Sequence, residues 1–160
     1  MALLLRISRL KLIRLSILAV LAPGFLGLAV QNYRASFARP ADPDNPYVYA
    51  QTSPDFLKLV AAVEKAAAVA PEKRDLLIEV VATPEETWPL PWYLRAYGRV
   101  GYWTSVESAL KDVPAGQAAV VIAAAGFTEE IAAALGDGYD QTFYGLRPEV
   151  VLSLFVRRGP

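Results

Sequence analysis

Histidine and cysteine are both absent from this chain of 160 residues. Without thiols there is no disulfide framework, and cysteine usage says nothing about the redox compartment. Zinc and copper sites that need imidazole or thiolate are excluded. Ser-His-Asp, Cys-His and other histidine general-base mechanisms go with them. The phosphate-cradling patterns G-x-G-x-x-G and G-x-x-x-x-G-K-[ST] do not occur, nor does the G-x-S-x-G nucleophile elbow. The residues imply no cofactor, no metal and no catalytic group.

Net charge is also missing, since sixteen Lys and Arg balance sixteen Asp and Glu. The balance hides an asymmetry. Residues 1–40 carry Arg6, Arg9, Lys11, Arg14, Arg34 and Arg39 and no acid, so +6. Residues 41–160 hold the other ten cations and all sixteen anions, so −6. An acidic body argues against nucleic acid as a partner, because phosphate neutralisation needs Lys and Arg on the binding face.

The basic head contains the one long apolar run. Nineteen residues from Leu15 to Tyr33 carry no charge, and Leu15–Val30 is almost wholly apolar apart from Ser16, with Pro23-Gly24 in mid-span. A bilayer core of about 30 Å needs roughly 17–25 such residues. Proline is tolerated within a membrane helix. Two membrane readings follow: a signal anchor that stays in the bilayer, or a signal peptide cleaved near Gly27-Leu28-Ala29; a buried helix of a soluble protein is the disfavoured third. The run exceeds the usual ~7–15-residue signal core, which favours the anchor. The cations before the span keep that end cytoplasmic by the positive-inside rule. The expected partner is the lipid bilayer, in a single pass of the cell membrane, with the body outside. Residues 1–36 are then the basic N-terminus and anchor.

Residues 37–46 read as a linker. Three prolines in seven residues, Pro40, Pro43 and Pro46, allow neither helix nor paired strand. Residues 47–160 alternate in period. Strands are expected at Tyr47–Gln51, Leu76–Ala82, Arg99–Trp103, Ala118–Ala124, Tyr139–Leu146 and Val150–Arg157, the last two joined as a hairpin. Helices are expected from Ser53-Pro54-Asp55 to Ala70 and after Thr83-Pro84-Glu85-Glu86, both started by hydroxyl, proline and acid, then over Ser105–Lys111, and from Thr128 to Leu135, capped by Thr128-Glu129-Glu130. This order implies an α/β fold: an open, mostly parallel sheet with helices on both faces and an antiparallel C-terminal edge. Glu79 is the one interruption in its apolar strand, and its direction stays open.

Ligands of open α/β sheets usually sit at the carboxyl ends of the strands. The helix starts expected there already carry carboxylates. Those acids either complement the helix dipole, at about 0.3–1 kcal/mol each, or bind a metal or sugar hydroxyls; the dipole reading is favoured. Asp137-Gly138-Tyr139-Asp140 lacks the alternating ligands and distal Glu of a calcium loop, and reads as a turn. Thr87–Tyr97 holds two Trp, two Tyr and two Pro in eleven residues. Pro89 and Pro91 are expected to prevent a regular helix before Trp92. Such a segment is a platform for a lipid headgroup or sugar, a membrane-interface anchor, or a roof over the sheet. The ligand- or partner-binding residues singled out are Trp88, Trp92, Tyr93, Arg95 and Tyr97.

Asn45–Asp55 and Thr87–Trp103 together resemble the C-terminal region of the flippase-activity-associated multispan membrane proteins. That family is similar to dolichyl-phosphate-mannose–protein mannosyltransferases and other GT-C-type glycosyltransferases. The resemblance covers a last membrane span and the tail domain after it. The Trp-Pro-Leu-Pro-Trp-Tyr-Leu-Arg segment is its specific part. Full members have many spans, and GT-C-type enzymes place their catalytic acid in the first outside loop, whereas this chain has one span and no such loop, so no catalytic residue carries over. Either a stand-alone tail or a piece of a longer multispan protein fits. The resemblance implies a membrane-anchored accessory domain acting in polyprenyl-linked glycan assembly, with a polyprenyl-linked glycan or a multispan membrane protein as partner. The alternatives are a structural interaction module without a ligand, and a glycosyltransferase subunit completed by a multispan partner.

Overall fold

A computed structural model describes residues 2–40, 42, 52–112 and 116–159. The chain divides into two compact units, residues 1–49 and 50–160.

In the first unit, helix α1 runs over Ala2–Tyr33 and continues into a π-helical turn at Arg34–Ala38. Pro23 lies inside α1 and has no N–H to give the Ala19 carbonyl. Lys11–Ala38 contains an 18-residue window with a mean hydropathy of 2.0 and is the one described helix long and apolar enough to cross a membrane. None of it is buried against protein.

The second unit is an open sheet between two helical layers. Helix α2 spans Pro54–Val69. Ser53 starts it: its hydroxyl accepts the Asp55 N–H at 3.1 Å, and Pro54 takes the first helical position, where no N–H is needed. Phe56, Leu59, Val63 and Ala67, spaced by three or four, are the buried face. Strand β1 is Leu77–Val81. Two short helices follow, α3 at Pro84–Thr87 and α4 at Leu90–Leu94. Then come strand β2 at Arg99–Trp103, helix α5 at Val106–Asp112, strand β3 at Val120–Ala124, helix α6 at Thr128–Leu135 and the hairpin of β4 (Tyr139–Arg147) and β5 (Val150–Arg157). Gly136 ends α6 with φ +62°, a conformation that costs glycine nothing.

The strand order is β2-β1-β3-β5-β4. β1 pairs in parallel with β2 and β3, while β5 pairs antiparallel with β3 and β4. The fold is therefore α/β with a mixed, open five-stranded sheet. Its antiparallel part is the C-terminal hairpin, with β5 inside and β4 at the edge. Alternate residues serve alternate faces. On one face, α2 and α4 pack Phe56, Leu59, Leu90 and Leu94 against Ile78, Val80, Ile122 and Leu154. On the other, α5 and α6 pack Val106, Ala109 and Ile131 against Val81, Val121, Ala123 and Phe155.

Two local expectations need revision, and a third is not reached. The strand expected at Tyr47–Gln51 lies outside the described residues. Pro89 and Pro91 do not keep helix away from Trp92: α4 begins at Leu90, with Pro91 in its first turn, where a missing N–H is harmless. Thr128 is the first residue of α6 rather than its cap; its hydroxyl lies 3.3 Å from the Ala124 carbonyl and 2.7 Å from the Ser153 hydroxyl.

Candidate functional site

The carboxyl ends of β1, β2 and β3 carry the starts of α3, α5 and α6. Two of the acids expected at this crest are held by the fold itself. Asp55 accepts the Gly145 N–H and pairs with Lys58. The Thr83 hydroxyl donates to Glu86 at 2.8 Å, and the Thr83 N–H to the same oxygen at 3.4 Å. Asp140, in the turn sequence that resembled a calcium loop, pairs with Arg158 at 2.7 Å.

The aromatic segment divides into buried and exposed residues. Leu90, Leu94 and Tyr97 are buried, and Tyr93 meets the Phe56 ring edge-on at 5.1 Å. Trp88, Trp92 and Arg95, four and three apart, are exposed; Trp88 keeps 62% and Trp92 57% of its surface in solvent. The Arg95 guanidinium lies 4.1 Å from the Trp92 ring centroid and donates to the Trp92 carbonyl. This cation–π contact holds the indole in place by about 0.5–1 kcal/mol at an exposed site. The structure thus brings Trp92 and Arg95 into contact and leaves Trp88 exposed on the same segment. It turns Tyr93 and Tyr97 inward, where Arg74 covers the Tyr97 ring at 5.1 Å. Burial raises the Tyr97 pKa, and its hydroxyl has no partner. A large apolar surface with a fixed cation beside it suits an amphiphilic or anionic partner, not proton chemistry.

A second feature went unassigned by sequence reasoning. Glu79, on β1, is 4% exposed and accepts from the Trp103 indole N–H. Burial, and then the negative charge of Asp112, raise its pKa against the lowering effect of the Trp103 bond. Its cross-strand neighbour is Gly101, and a Cβ there would collide with the carboxylate. The signals were present: one acid in an apolar strand, and a glycine inside the next strand. Only the register joins them.

The profile of the Agl23 flippase-associated protein C-terminal domain matches residues 48–152. The chain belongs to this family. Membership supports an accessory role in a flippase-associated membrane protein, and the N-terminal apolar helix fits a membrane anchor. Within the Agl23 C-terminal domain match lie both the exposed Trp88-Trp92-Arg95 side and the buried Glu79. Neither curated proteins nor solved structures give a match.

Proposed function

We propose that this Agl23-family chain is a single-pass accessory protein of polyprenyl-linked glycan assembly. In this reading residues 1–36 anchor it with the N-terminus in the cytoplasm, and residues 37–46 tether the domain of residues 47–160 to the outer face. Ten extended residues reach at most about 35 Å, so the domain works close to the headgroups. Trp88, Trp92 and Arg95 contact a glycolipid headgroup or a multispan membrane partner. Tyr93 and Tyr97 support that surface from beneath. The observation that carries the reading is the outward pairing of Trp92 with Arg95, with Trp88 also exposed on the same segment. Indoles suit the apolar-to-polar boundary of a bilayer, and the guanidinium suits a phosphate.

The test is binding of the full chain, in nanodiscs, to a prenyl-phosphate-linked sugar. Trp88→Ala with Trp92→Ala should weaken it by about tenfold or more, since exposed aromatic anchors dominate such contacts, with the circular dichroism unchanged. Unchanged affinity in the folded double variant removes the site. A second reading, a docking module with no ligand, rests on the same exposed tryptophans; it predicts loss of a co-purifying membrane protein with no change in glycolipid binding.

A further inference from the structure

Glu79 poses a physical problem that the membrane-side reading leaves untouched. A buried carboxylate is costly unless its acceptors are satisfied. Glu79 has the Trp103 N–H, and among the described residues no cation pairs with it. An aliphatic side chain would fill the same position of β1 without that cost.

The carboxylate instead borders a cleft. On this face Leu77, Glu79 and Val81 of β1 stand beside Arg99, Gly101 and Trp103 of β2. Helix α5 covers the Val81–Trp103 end through Val106 and Ala109. Its seven residues give only about 10 Å, against about 16 Å for a five-residue strand. Below the helix end lies a cleft of about 400 Å³ lined by Leu77, Glu79, Arg99, Gly101, Asp112 and Gln117. Gly101 matters to its shape: a Cβ there would lie 2.7 Å from Trp103 Nε1 and on the carboxylate itself. A neighbouring cleft of about 330 Å³ shares Leu77, Arg99 and Gln117 and adds Arg157. Clefts of this size, with a few convergent polar groups, hold small ligands.

The chemistry of the lining selects the ligand. Two carboxylates ask for hydrogen-bond donors, a guanidinium asks for acceptors, and an amide takes either. A sugar ring with vicinal hydroxyls offers both from one rigid body. A metal ion is disfavoured by Arg99, and the described residues hold no group of three or more ligating acids. We propose that this cleft binds a sugar ring, with hydroxyls donating to Glu79 and Asp112 and accepting from Arg99 and Gln117.

The experiment follows the Trp103 indole N–H signal by NMR in the full chain in detergent micelles, assigned with Trp103→Phe. The probes are a panel of methyl pyranosides, the same sugars on a short prenyl phosphate, glycerol and Mg²⁺. The expected result is a saturable shift with one or more methyl pyranosides, no tighter on the prenyl phosphate. Glu79→Gln should weaken it about tenfold or more, the loss of one charge-assisted bond. Asp112→Asn and Gln117→Ala, at exposed positions, should each weaken it without touching the fold. Trp88→Ala with Trp92→Ala should leave it unchanged, so the two sites fail or stand separately. No shift with any pyranoside, a shift reproduced by glycerol or Mg²⁺ alone, a shift confined to the prenyl phosphate, or equal affinity in the Asp112 and Gln117 variants would overturn the proposal.

Discussion

Asp55 accepts the backbone N–H of Gly145 at 2.8 Å, across 90 residues of chain. The contact fastens the first turn of α2 to β4, the edge strand, and the Ser53 N–H to the Leu146 carbonyl, at 2.8 Å, continues it. One carboxylate therefore serves a helix start, a neighbouring lysine and a strand edge at once.

Asp55 should consequently govern acid sensitivity. The Gly145 bond, and then Lys58, hold its pKa below the ordinary 3.8. A lowered folded-state pKa gives stability that is present above the unfolded value and lost as pH falls through the folded one. Asp55→Asn should lower Tm by a few degrees at pH 7 and remove part of the loss of stability below pH 3.8. Equal acid profiles for the two proteins would contradict this.

Glu79 should act in the opposite direction. Its pKa is raised above the ordinary 4.5, mainly by burial. The stability tied to its protonated form is complete below 4.5 and declines as pH rises through the raised value. Glu79→Gln keeps an acceptor for Trp103 and carries no charge. Denaturant midpoints should coincide near pH 4 and favour the variant at pH 8. A variant less stable at pH 8 would show the carboxylate to be better satisfied than its contacts imply.

The two sides of the aromatic segment should separate energetically. Leu94 is 1% exposed and packs in the core with Phe56 and Leu90. Leu94→Ala should cost about 2–5 kcal/mol through lost burial and a residual cavity. Trp92→Ala removes an exposed ring and one cation–π contact, and should cost about 1 kcal/mol or less. Urea unfolding of both variants decides the matter; comparable losses would place Trp92 in the core.

Tyr97 offers a finer check. Its hydroxyl is buried without a partner, so Tyr97→Phe removes a desolvated polar atom and little packing. The change should be neutral or stabilising by up to about 1 kcal/mol. A loss above about 1 kcal/mol would mean the hydroxyl is bonded in solution.

Much of this architecture was legible because it is local. Ser53, Pro54 and the Phe56-Leu59-Val63-Ala67 spacing dictate α2 by themselves. Arg99–Trp103 and Val150–Arg157 read as strands from apolar and β-branched content, and both bounds are those observed. What stayed hidden is non-local. No short-range pattern says that β5 inserts between β3 and β4, or that Glu79 stands opposite Gly101. The aromatic segment was recognisable from composition. The exposure of Trp92 between buried Leu90 and Leu94 depends on α4 accepting Pro91 in its first turn, against the expectation drawn from proline alone.

The proposed function requires one helix to hold this domain outside the cell. The absence of cysteine from the sequence provides a clean background for the most direct measurement. Single cysteines at Ser8, ahead of the span, and at exposed Gln141 on β4 are exposed to a membrane-impermeant maleimide on intact cells. The expected result is labelling at position 141 without permeabilisation, and labelling at position 8 only after it. The reverse pattern, or full-length chain recovered from the soluble fraction, would contradict the account.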